Sequence, residues 1–162
     1  MDVDDRLGAE GLREQNALIF NGLLKIALSE GESLAGDLDR ALATLDDGLA
    51  TSDRTGHRAF DVELHRVRGE LLLKRNHANP APAENAFLTA IAAAKQQGAR
   101  SFELRAALAL ARLYQSTSRP TDAHAVLSPA LEGFLPTPEM PEIAEAQALL
   151  VAIEAGAHVR HE

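Results

Sequence analysis

Ala83-Glu84-Asn85-Ala86-Phe87-Leu88-Thr89-Ala90 sets a small residue first, a bulky apolar one four positions on, and a second small one three further. The same triplet recurs as Ala41, Leu45 and Gly48 and as Ala123, Leu127 and Ala130, with successive displacements of 42 and 40 residues. Offsets of four and three place all three side chains on one side of an α-helix. Small residues there let a second helix come close, and the bulky one fills the remaining gap. Repetition at roughly 40 residues is the mark of a helical array, in which each unit buries its apolar face only against its neighbours. An irregular helical bundle that uses small residues wherever helices touch is the alternative reading.

The helix before each triplet supplies a matching small residue: Ala27, Gly69 and Ala111, with Leu72 and Tyr114 three positions after the last two. From Ala111 to Ala123 the separation is 12 residues, and in the other two pairs it is 14. This is the pattern of a tetratricopeptide pair in degenerate form. The expected fold is therefore all-α: antiparallel helical hairpins stacked as a tetratricopeptide-like right-handed superhelix, about three pairs plus a C-terminal capping helix.

Working outward, seven segments carry the three-and-four spacing of a buried helical stripe. They cover about 12–29 (Ile19, Leu23, Ile26), 34–52 (Leu38, Ala41, Leu45, Leu49), 59–75 (Phe60, Leu64, Val67, Leu71), 82–97, 102–116, 120–134 and 141–155 (Ile143, Ala146, Leu150, Ile153). Gly31 with Ser33, Gly56, Asn79 with Pro80 and Pro82, Gly98 with Ser101, Ser118 with Pro120, and Pro136 with Pro138 mark the breaks. Glycine ends helices, serine caps them, and proline suits their first turn. Such short connections make successive helices antiparallel neighbours. Pro129, inside the sixth pattern, is expected to kink or interrupt it. One domain over 10–155 is expected, with flexible ends at 1–9 and 156–162.

Composition agrees. The 162 residues are 46% hydrophobic, 25% charged and only 4% aromatic, and Ala and Leu dominate the apolar share, which favours close-packed helices over sheets. A net charge of −8 without any Lys/Arg run argues against nucleic acid as a partner. No cysteine is present and no apolar run approaches the length of a membrane span. The opening Met1-Asp2-Val3-Asp4-Asp5 is acidic where a signal peptide is basic, so a cytoplasmic protein is expected.

Chemistry is sparse. There is no phosphate-binding Gly-x-x-x-x-Gly-Lys loop and no His-Glu-x-x-His. Glu63 and His65 lie two apart on a helix and point to different faces. His158 and His161 share a helical spacing, but at the end of the chain they read as solvated. No enzymatic activity, cofactor or metal is expected.

Two longer runs, 63–72 (Glu-Leu-His-Arg-Val-Arg-Gly-Glu-Leu-Leu) and 97–107 (Gln-Gly-Ala-Arg-Ser-Phe-Glu-Leu-Arg-Ala-Ala), are followed by Leu110-Ala111-Arg112-Leu113-Tyr114, Pro129, Phe134 and Pro141-Glu142-Ile143-Ala144-Glu145-Ala146. Together they resemble the C-terminal tetratricopeptide-like region of bacterial class III adenylate/guanylate cyclases and related signalling ATPases and transcriptional regulators. The resemblance covers about 60–150 well and 10–58 more loosely. Ser118 departs from it where a turn glycine is common, as does 135–140 where glycine and aromatics are usual. The cyclase and nucleotide-binding domains of that family have no counterpart here, so the resemblance implies a regulatory or assembly module in signal transduction.

In such a stack the first helix of each pair lines the concave face. Its outward positions are Glu63, Arg66, Glu70, Leu73, Arg105, Leu108, Arg112 and Gln115, and these are the candidate contacts for a protein or peptide. Arg66, Arg68, Arg105 and Arg112 also read as solvated or internally paired charges next to Glu63, Glu70 and Glu103. Two alternatives stand beside the groove: a homodimerisation module using the groove or the first helix, and a sensor whose Arg66, Arg105 and Arg112 bind an anionic small molecule.

Overall fold

The structure, a computed structural model, describes residues 3–158. Seven helices follow one another: α1 (Val3–Leu34), α2 (Leu38–Thr55), α3 (Asp61–Arg75), α4 (Ala81–Gln97), α5 (Arg100–Ser116), α6 (Pro120–Leu131) and α7 (Pro141–His158). Among the described residues there is no strand. Residues 1–2 and 159–162, with His161, and the side chains of residues 3–10, 14, 15, 19, 157 and 158, with Ile19 and His158, lie outside the described residues, so the expectations that fell on them have no counterpart here.

Local chemistry sets the helix ends. Asp37 caps α2, its carboxylate accepting the Arg40 N–H at 3.1 Å. Gly56 ends the same helix at φ 75°, its N–H reaching the Ser52 carbonyl at 2.8 Å. Ser118 takes φ 60° after α5, the left-handed conformation that favours glycine. α6 stops at Leu131, two residues past Pro129 and short of the expected 134. Arg100 donates there to the carbonyls of Pro129, Ala130 and Glu132, the last at 2.9 Å, covering helix-end acceptors that no further turn satisfies.

The first break falls elsewhere than expected. Gly31 and Ser33 are not the turn: α1 runs through both, and the turn is Ala35-Gly36-Asp37. Ser33 is buried and serves as an anchor, its hydroxyl and carbonyl accepting from the Lys74 ammonium at 2.9 and 3.2 Å. That tie fastens the end of α3 to the end of α1.

All nine residues of the three triplets are buried. Their packing is direct: a Cβ built on Gly69 would lie 2.5 Å from Phe87 Cε1, so the Phe87 ring occupies the space that the glycine leaves. Gly48 is likewise tight against Leu64 and Lys25. Burying a ring such as Phe87 stabilises by about 1.5–3 kcal/mol, realised here only because position 69 has no side chain. One small position was misread. Ala27 is exposed, and the close approach of α1 is made by Gly22, whose Cβ would sit 2.8 Å from Phe60 Cβ.

Each helix packs on the next, and the odd-numbered helices α1, α3, α5 and α7 also touch in series. The even-numbered α2, α4 and α6 do not touch one another. The layer is therefore closed along its odd side. α7 lies on α6 and α5 through the buried Ile143, Ala146 and Ile153, as a terminal covering helix does.

Candidate partner-binding groove

The closed side bears a cavity of about 230 Å³ lined by Arg66, Glu70, Arg105, Leu108, Ala109, Arg112, Glu142 and Glu145. It brings together five of the eight expected contacts. Glu63 lies buried beneath Arg66, Leu73 is turned partly into the core, and Gln115 is exposed outside the lining.

The electrostatics are those of matched charges. Arg66 donates to both oxygens of Glu63 at 3.0 to 3.2 Å and to Glu70 at 2.5 Å. Burial alone would lower the Arg66 pKa, but Glu63 and Glu70 outweigh it and hold the guanidinium above its ordinary value. Arg105 Nε lies 2.9 Å from Glu142 Oε1, yet its N–H is not aimed at that oxygen. Arg105 Nε and Glu142 Oε2 both remain without a hydrogen-bond partner. Arg112 pairs with Glu145 on the surface.

These pairs differ in how easily they yield. A surface pair such as Arg112–Glu145 contributes about 0.2–1 kcal/mol, so an incoming polar group can replace it. Arg66 is clamped by a buried carboxylate, and removing one member of such a pair is costly. Arg105 and Arg112 are thus the available anchors. Three guanidinium groups meet at the cavity, but they answer to four carboxylates, Glu63, Glu70, Glu142 and Glu145. An anionic ligand would have to displace one of those carboxylates.

Glu142 and Glu145 escaped the sequence reading. Their three-residue spacing places them on one face at the start of α7, but only the chain's return over α5 sets them opposite Arg105 and Arg112. Glu63 and His65 form no pair: Glu63 is taken up by Arg66, and burial pushes the His65 imidazole below its ordinary pKa against the opposing pull of Asp61. Among the described residues no group of three or more His, Cys, Asp or Glu could hold a metal ion, and no helix is long and apolar enough to cross a membrane.

The fold and this groove define an all-α helical array with a polar, charge-paired cleft on its odd-numbered helices. No protein-family model matches the chain, and neither the curated proteins nor the solved structures contain a match.

Proposed function

We propose that the chain is a non-catalytic protein-binding module, a tetratricopeptide-like right-handed superhelix of three helical pairs capped by α7, holding a partner's peptide or helix in the groove of α3, α5 and α7. The buried triplets at a spacing near 40 residues and the serial contact of the odd helices support the superhelical reading. The observation that carries the binding reading is the cavity itself, in which Arg105 and Arg112 keep 38% and 57% side-chain exposure beside Glu142 and Glu145. A peptide unit, or an Asn or Gln side chain, presents both an acceptor and a donor and answers a guanidinium and a carboxylate together. A simple anion answers only the first.

With its resemblance to the tetratricopeptide-like tails of signalling cyclases, the module reads as a regulatory part of a cytoplasmic signalling protein. Affinity would come from a few desolvated anchors, Arg105 and Arg112 foremost, over the apolar floor of Leu108 and Ala109. The test is capture from a cytosolic lysate with the wild-type chain and with an Arg105→Glu/Arg112→Glu variant, whose helicity is checked by circular dichroism. A set of proteins retained by the wild type and lost by the folded variant is the expected result. Identical sets would count against the groove.

A further inference from the structure

α1 carries a buried inner face and an exposed apolar outer one. Gly22, Ile26, Ser29 and Ser33 form the inner one, all buried. On the opposite side of the helix, Phe20, Leu24 and Leu28 are 64, 65 and 47% exposed, flanked by the exposed small residues Ala17 and Gly31. A Cβ built on Gly31 meets nothing within 4 Å. Residues 17, 20, 24, 28 and 31 fall within about a quarter of the helix circumference at 3.6 residues per turn.

The order of that stripe is its own reverse. It runs small, bulky, bulky, bulky, small with steps of three, four, four and three, centred on Leu24. A two-fold interface must match a surface to itself. Laid antiparallel on a second copy, the stripe sets Leu24 against Leu24, Phe20 against Leu28, and Ala17 against Gly31, so small residues meet at both ends and bulky ones in the middle. The charges agree with the same register. Exposed Arg13 falls on the stripe and would lie over the carbonyl end of the other α1, whose last turn has no basic residue of its own, where a cation is favourable.

From these observations we infer that the outer face of α1 is a homodimer interface, with two α1 helices packed antiparallel about a two-fold axis through Leu24. The exposed apolar surface, on the order of 500 Å² per chain, is at the upper end of what a lone soluble chain leaves open. Two copies would bury roughly 1,000 Å² or more, near the lower limit of a specific interface, so the dimer belongs to the weak class and is sought over a wide concentration range. The inference is independent of the groove of α3, α5 and α7.

Light scattering from micromolar to near-millimolar protein reads the mass. The wild type is expected to rise to twice the 17.3 kDa chain mass, while Leu24→Glu stays at one chain with its helicity intact. The absence of cysteine allows a second reading of register. Under mild oxidation Leu24→Cys should cross-link with itself, Phe20→Cys and Leu28→Cys alone should not, and a mixture of those two should. A single-chain mass across the whole range overturns the inference, as does a dimer that survives Leu24→Glu. Self-linkage of Phe20→Cys as readily as Leu24→Cys would also overturn it, because that is the signature of a parallel pair.

Discussion

The crossing of α3 on α4 and the outer face of α1 use the same residue types to opposite ends. At the crossing, Gly69 gives up its side chain and Phe87 takes the space, so an aromatic ring is buried almost completely inside one chain. On α1, Gly31 also gives up its side chain, but the space beside it is open and Phe20, Leu24 and Leu28 stand in solvent. A small residue next to a bulky one is therefore not a signal of contact within the chain. It is a signal of close approach, and the approaching surface can belong to a neighbouring helix or to another molecule.

Removing the ring at the crossing should have the largest effect. Phe87→Ala leaves a cavity facing a glycine that cannot fill it, and is expected to cost about 3–5 kcal/mol in urea unfolding. The same truncation at Phe20, measured at a protein concentration where the chain is single, should change stability by less than about 0.5 kcal/mol. Comparable losses at both positions would break the distinction between the two regions.

Adding a methyl group sharpens it. Gly69→Ala meets the Phe87 ring at 2.5 Å, and overpacking of this kind costs about 1–3 kcal/mol. Gly31→Ala meets nothing and should stabilise dilute protein by about 0.5–1 kcal/mol, because alanine restricts the unfolded chain and favours the helix. Opposite signs from one chemical change are the expected outcome in thermal melts of the two variants.

The smallest effect is in pH. Burial holds the folded-state pKa of His65 below its ordinary value of 6.5, so the unfolded chain binds the proton more readily than the folded one. This contribution to stability is complete above the unfolded value and is lost as pH falls through 6.5 toward the folded value. Urea midpoints read from pH 7.5 down to about 5.5 should fall, and His65→Gln should flatten that slope. A wild-type profile no steeper than that of the variant would exclude His65 as the source.

Much of this was legible in the residues. The triplets located nine buried positions on the even helices, and periodicity found seven helices because each buries one stripe. Ends set by isolated signals were less secure. Gly31 and Ser33 look like a stop and a cap, yet α1 continues because Asp37 supplies the cap and Ser33 is needed by Lys74. Ala27 matched the spacing of Gly69 and Ala111 while facing outward, for spacing within one helix does not tell which side its neighbour takes. Five of the eight groove positions converge for the same reason that the triplets do, by helical register. Glu142 and Glu145 could not be found that way, because their place opposite Arg105 and Arg112 depends on how α7 folds back.

Amide hydrogen exchange of the wild-type chain at low and at high concentration tests the contrast most directly. Amides of α3, α4 and α5 should be slow and unchanged at both, since their contacts are closed within one chain. Those around Leu24 in α1 should exchange quickly in dilute protein and slow markedly as concentration rises, because a second copy binds only the folded helix. Exchange in α1 that ignores concentration, or that matches α3 to α5 in dilute protein, would contradict the account.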